Sequence, residues 1–135
     1  MSALDGRSVL VVEDEPLIGI DVCATLEAVG ATTLCLTSLA RALQALQMQR
    51  FDAAILDYRL PDGFSTDLCA ELEKRNIPYI IHTGYGEIEG ACSEATIIEK
   101  PANPVEIVRT IEKLLPTGSP PAPKAPEEPP ASQPQ

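Results

Sequence analysis

The sequence predicts an α/β protein: a doubly wound sheet of five parallel strands, order 2-1-3-4-5, with helices on both faces. Two observations carry this. Five short apolar runs alternate with stretches of helical period, and the runs are near-continuous, as strands covered on both faces must be. Turn and cap residues also fall at the joints between them, and right-handed crossovers then place helices on both faces.

Ser8 to Val12 is the first strand, and Pro16 suits the first turn of the helix after it. That helix carries Ile18, Val22, Leu26 and Val29 on one face and stops at Gly30. Thr32 to Leu36 is the second strand. Ser38 caps a helix with Leu39, Leu43 and Leu46 inward. Ala53 to Asp57 is the third strand, and Pro61-Asp62-Gly63 marks the turn that follows. Ser65 or Thr66 caps a helix carrying Leu68 and Leu72, which ends before Asn76-Ile77-Pro78. Tyr79 to His82 and Thr96 to Glu99 are strands four and five. Asn103 caps the last helix, with Pro104 at its first position, Glu106 at its third, and Val108, Ile111 and Leu115 inward. Between strands four and five, residues 84 to 95 hold Gly84, Gly86 and Gly90, each costing a helix about 1 kcal/mol relative to Ala, and only Ile88 as a large aliphatic. A short or frayed fourth helix is expected there.

The composition changes at Pro116. Eight of the last 20 residues are Pro and none is aromatic. Such a segment cannot bury enough apolar surface to offset its ordering entropy, so a domain over residues 1–115 and a disordered, polyproline-like tail over 116–135 are expected. The P-x-x-P spacings Pro120/Pro123 and Pro123/Pro126 suit an aromatic groove, but a plain disordered end is the expected reading.

Twenty acidic and 10 basic residues give a formal charge of −10, against a nucleic-acid partner. No apolar stretch approaches the roughly 20 residues that span a bilayer. Cys23, Cys35, Cys69 and Cys92 show no metal-like spacing and no signal peptide precedes them. They read as small buried hydrophobes in a reducing, cytoplasmic compartment.

The chemistry lies at the strand ends. Glu13-Asp14 follows the first run, Asp57 ends the third, Thr83 follows the fourth and Lys100-Pro101 the fifth. In neighbouring parallel strands these three carboxylates, a hydroxyl and an ammonium share one rim, at the point where the strand order reverses. Clustered carboxylates repel one another unless a cation neutralises them, and Mg²⁺ would keep them ionised. Asp57, on the inner strand, is the expected nucleophile toward phosphorus, with Thr83 and Lys100 placed to hold phosphoryl oxygens.

This set, with Leu60-Pro61-Asp62-Gly63 after the central Asp, resembles the receiver domain of bacterial two-component response regulators, the CheY-like, flavodoxin-like fold, over about residues 7 to 115. The resemblance implies that Asp57 accepts phosphate from a histidine kinase or a histidine phosphotransfer protein. It implies that Glu13, Asp14, Asp57 and the backbone carbonyl of Arg59 hold Mg²⁺, that Thr83 and Lys100 read the phosphate, and that the Lys100-Pro101 bond is cis. Most receivers carry an aromatic switch residue where this chain has Ile97, and Tyr85 is the expected substitute. Pro78 to Gly86 resembles the FATGUY subclass, some of whose members stand alone and work with HWE-type kinases. His82 reads as a strand residue beside the site.

No output domain follows Leu115, so a stand-alone receiver is expected, either switching a downstream protein partner or acting as a phosphate sink. It would be an assistant to its own phosphorylation and dephosphorylation, not an enzyme. A haloacid-dehalogenase-type phosphohydrolase also uses an Asp nucleophile, but it places D-x-D at the first strand and usually carries a cap domain. Here Arg59 stands at the second position after Asp57. A pseudo-receiver binding module would lack one of the five site residues, and all five are present.

Overall fold

The computed structural model describes residues 2–84, 92 and 95–116. The expected fourth helix, Tyr85 and the Pro-rich tail beyond Pro116 lie outside the described residues. Five parallel strands form the main sheet: β1 (Ser8–Val12), β2 (Thr32–Leu36), β3 (Ala53–Leu56), β6 (Tyr79–Thr83) and β7 (Thr96–Glu99), in the order β2-β1-β3-β6-β7. This is the expected topology.

Burial follows position in the sheet. The central strands β1, β3 and β6 are almost wholly buried, whereas the edge strands β2 and β7 keep exposed residues. Alternation then splits the core. Leu10, Val12, Ala54, Leu56 and Ile81 point to one face, against α2 (Leu39–Met48) and α3 (Thr66–Lys74). Val9, Val11, Ala53, Ile55 and Ile80 point to the other, against α1 (Pro16–Ala28) and α4 (Pro104–Leu114). Ile107 and Ile111 of α4 are fully buried there, each contributing about 1.5–3 kcal/mol.

The termini of the helices show why they begin and end where they do. Pro16 opens α1, and Gly30 at φ +98° follows its end, where a Cβ would fall 2.3 Å from Asp5 Oδ1. Asn76 at φ 58° closes α3, with the Ile77 amide donating to the Leu72 carbonyl. Asn103 Oδ1 accepts from the Val105 amide at 2.9 Å to start α4. Ser38 Oγ accepts from the Arg41 amide at 3.2 Å, and α2 has a second cap from outside: the Asp62 carboxylate accepts from the Leu39 and Ala40 amides at 2.8 and 3.0 Å. These backbone hydrogen bonds hold the Asp62 pKa below its ordinary value.

Three expectations are corrected, and the expected turn is borne out and extended. On α2 the buried positions are Ala42, Ala45 and Leu46, while Leu39 and Leu43 are only partly buried, because small residues let the helix approach the sheet closely. The turn at Pro61-Asp62-Gly63 is the tip of an antiparallel pair, β4 (Arg59–Leu60) and β5 (Gly63–Phe64), with the Phe64 ring 5.1 Å from Tyr58. Ser65 is the N-cap of α3 by position but makes no capping bond with its side chain. Finally, the cysteines are not uniformly inert: Cys69 and Cys92 are joined in a disulfide, and Cys35 is exposed. Cys23 alone is a free buried thiol among the described residues. Sequence spacing could not show the pairing, because 23 residues separate two positions that converge only when α3 packs against the sheet.

Candidate phosphoacceptor site

The rim formed by the carboxyl ends of β1, β3, β6 and β7 carries the reactive residues. Glu13 follows β1 and is buried, Asp57 follows β3 and is buried, Thr83 ends β6 and is buried, and Lys100 follows β7. The sheet register fixes their approach: the Asp57 amide donates to the Val12 carbonyl at 2.9 Å and the Lys100 amide to the Thr83 carbonyl at 2.9 Å. The Lys100-Pro101 peptide is cis, as expected.

Lys100 Nζ gathers the carboxylates. It lies 2.8 Å from Asp57 Oδ2, 2.8 Å from Glu15 Oε1 and 3.3 Å from Glu13 Oε2. Partial burial lowers its pKa, but hydrogen bonds to Asp57 and Glu15 and the nearby carboxylates more than compensate, so the net shift is upward. Glu13 is pushed the other way from an ordinary carboxyl, up to about 7. Burial is the main cause, the Asp57 charge adds to it, and the Glu15 amide and Lys100 oppose it. The Glu15 amide donates to Glu13 Oε2 at 3.1 Å, which fixes that carboxylate.

Glu13, Asp14, Glu15 and Asp57 each offer a carboxylate oxygen, all within 4.8 Å of one another. A set of hard oxygen donors this dense fits a divalent cation such as Mg²⁺, and the raised pKa of Glu13 records the repulsion and burial that a cation would relieve. Arg59, whose carbonyl was expected to join this set, lies two residues beyond Asp57 at the start of β4, with its side chain exposed.

Two residues at the site were missed in the sequence. Glu15 continues the acidic run Glu13-Asp14 but does not itself directly end an apolar run, so the strand-end pattern does not single it out. Ser65 is fully buried, and its Oγ donates to the Asp57 carbonyl at 2.5 Å, tying the start of α3 to the backbone of the central Asp. A buried hydroxyl eight residues after Asp57 leaves no periodic signal.

His82 sits in β6 with little exposure, and its Nε2 has no hydrogen-bond partner among the described residues. Burial, then Lys100, lowers its pKa. It lines a cleft of about 350 Å³ with Glu15, Asp21, Lys100 and Pro104. A larger cleft, about 480 Å³, opens at the opposite end of the strands beside Arg7, Asp52 and Pro78, away from the acidic residues. Ile97 lies in β7 and is 40% exposed, so it does not pack inward as an aromatic switch would.

A doubly wound sheet with a buried Asp among carboxylates and a lysine at its switch point defines a receiver-type phosphoacceptor domain. Comparison with known proteins places it: the family model of the response regulator receiver domain matches residues 9–112, and the chain belongs to that family of two-component signalling proteins. Receivers are signalling phosphoacceptors that interact with histidine kinases. The chain is 29% identical over 124 residues to the probable transcriptional regulatory protein TcrX of Mycobacterium tuberculosis, covering 85% of this chain and 53% of that protein. It thus spans about half the length of that curated relative.

Among solved structures, the CheY-like receiver domain protein from Methanospirillum hungatei JF-1 superposes with a TM-score of 0.73 at 25% identity, covering 82% of this chain and 94% of that one. The receiver domain of the sensor histidine kinase PA1611 from Pseudomonas aeruginosa PAO1 gives 0.70 at 25% identity, covering 80% and 96%, and it was solved with a magnesium ion coordinated in its active-site cleft. Among the described residues no helix is long and apolar enough to cross a membrane.

Proposed function

We propose that Asp57 accepts a phosphoryl group from a histidine kinase or a histidine phosphotransfer protein, and that the chain works as a single-domain response regulator in the cytoplasm. The observation that carries this is the salt bridge of 2.8 Å between Lys100 Nζ and Asp57 Oδ2, at the meeting point of four acidic side chains. Asp57 Oδ attacks phosphorus while Lys100 balances charge on the transferred oxygens, and Thr83, at the end of the neighbouring strand, donates a hydrogen bond to one of them. Glu13, Asp14, Asp57 and the Arg59 carbonyl would hold Mg²⁺. When bound, the ion neutralises the carboxylates and the phosphoryl oxygens. Glu15 is the residue that Lys100 can release when it turns to phosphate, since Glu15 is the most exposed of its three partners.

The subclass reading rests on Pro78 to Gly86 and on the exposed aliphatic Ile97 where an aromatic is usual. It makes Thr83, with Tyr85 in place of the missing aromatic, the switch, and HWE-type kinases the donor class. Neither a pseudo-receiver nor a phosphohydrolase is favoured: the acidic residues, Thr83 and Lys100 share the rim, and Arg59 occupies the position of the second Asp of the hydrolase motif.

The test is phosphotransfer. Autophosphorylated kinase fragments of the HWE and other classes, incubated with this chain and Mg²⁺, should lose label to it, and the Asp57→Asn variant should take none. Retention of the label on every kinase histidine, with wild type and variant alike, would overturn the reading.

A further inference from the structure

Cys23 and Cys35 are the second cysteine pair of this chain, on the face of the sheet opposite the Cys69–Cys92 bridge. Cys35 lies in the edge strand β2, opposite Val11 of β1, and is exposed. Its Sγ rests against α1 at Gly19, only 3.0 Å from where a Cβ on that residue would stand. A glycine inside a helix costs about 1 kcal/mol relative to alanine. Here the missing side chain is what admits the sulfur.

Cys23 is four residues further along α1, on the same face of the helix. It is 9% exposed, and because the Cα–Cβ bond of a helical residue tilts toward the N-terminus, its side chain leans back along the face at Gly19 where the Cys35 sulfur rests. Burial, the largest effect, pushes the Cys23 thiol up to about 12, so it stays protonated at neutral pH. One partner is thus open to solvent, and the other is covered and lies one helical turn along the same face.

We propose that Cys23 and Cys35 form an oxidant-responsive dithiol that closes into an intramolecular disulfide, pinning α1 to β2. The co-reactant is hydrogen peroxide. Cys35, as thiolate, attacks one peroxide oxygen. The O–O bond breaks, the leaving hydroxide takes a proton to become water, and Cys35 becomes a sulfenic acid. The Cys23 sulfur then attacks the Cys35 sulfur. The S–S bond forms, the S–O bond breaks, and the departing hydroxide leaves as water with the Cys23 proton. Two electrons pass from the two sulfurs to one peroxide, which ends as two waters. Because both sulfurs belong to one chain and meet the same face of α1, this second step is unimolecular, which offsets the poor nucleophilicity of a protonated thiol.

The proposal does not depend on phosphorylation at Asp57. It is tested by treating the full chain, free of reductant, with stoichiometric hydrogen peroxide, trapping residual thiols by alkylation in denaturant and mapping peptides without reduction. Both thiols should vanish together, the peptides containing Cys23 and Cys35 should be recovered joined, and dithiothreitol should restore them. Cys35→Ser should leave Cys23 as a free thiol, and Cys23→Ser should divert Cys35 to oxygen adducts or to links between molecules. The wild-type map decides the matter even if a variant fails to fold. Oxygen adducts accumulating on wild-type Cys35 while Cys23 still alkylates would overturn the proposal. So would an equal yield of the Cys23–Cys35 link from urea-unfolded chain, since proximity in the fold would then play no part.

Discussion

Replacing Glu13 by Gln should remove a fall in metal-free stability that runs from pH 4.5 to about 7 in the wild type. The folded chain holds the Glu13 proton up to about 7, whereas an unfolded one releases it near the ordinary 4.5. Across that window the folded state binds more protons. Stability from this group is therefore complete below the unfolded value and is lost as pH rises through the folded one. Carrying a carboxyl that far corresponds to at most about 3 kcal/mol.

Gln keeps the shape and can still accept from the Glu15 amide, now at 3.1 Å, and Lys100 keeps Asp57 and Glu15, each at 2.8 Å. The assay is urea unfolding followed by circular dichroism, in chelator, over a pH series from about 4.5 to about 8. Wild type and variant should agree at the acid end. Near pH 8 the variant should be more stable by up to about 3 kcal/mol, chiefly because it buries no charge and secondarily because none is left to repel Asp57. Parallel profiles, or a wild type that gains on the variant as pH rises, would refute the electrostatic account of the rim.

Two further outcomes follow from the same geometry. Millimolar Mg²⁺ should raise the melting temperature of the wild type, and Asp14→Asn should blunt that rise. A melting curve indifferent to Mg²⁺ in both proteins counts against the carboxylate site. Ser65→Ala removes the buried hydroxyl that donates to the Asp57 carbonyl at 2.5 Å and should cost about 1–3 kcal/mol in denaturant unfolding, with an unchanged value arguing that the bond contributes nothing net.

The central strands were legible because they are buried on both faces, so β1, β3 and β6 read as continuous apolar runs whose last residues point at the rim. Glu13, Asp57 and Thr83 could be found from those endpoints, and Lys100 from the end of the edge strand β7. Interactions that depend on how one helix sits against another segment were not legible. Asp62 caps α2 from a turn 23 residues downstream of Leu39. Ser65 looks like an ordinary helix cap until its hydroxyl is seen turned toward Asp57. Glu15 becomes a partner of Lys100 only once α1 has been placed. The cysteines misled for the same reason: composition suggested four equivalent hydrophobes, whereas packing makes one bridge and leaves two free thiols, one buried and one exposed.

The central claim is that Asp57 is the phosphoacceptor, and site mapping after treatment with a small phosphodonor tests it most directly. The chain is incubated with acetyl phosphate and Mg²⁺, the acyl phosphate is reduced with borohydride, and the modified residue is located by peptide mass spectrometry. The account predicts a single modified carboxylate, at Asp57, which disappears in Asp57→Asn and without Mg²⁺. Modification at Glu13 or Asp14, or equal modification of the Asn variant, would contradict it.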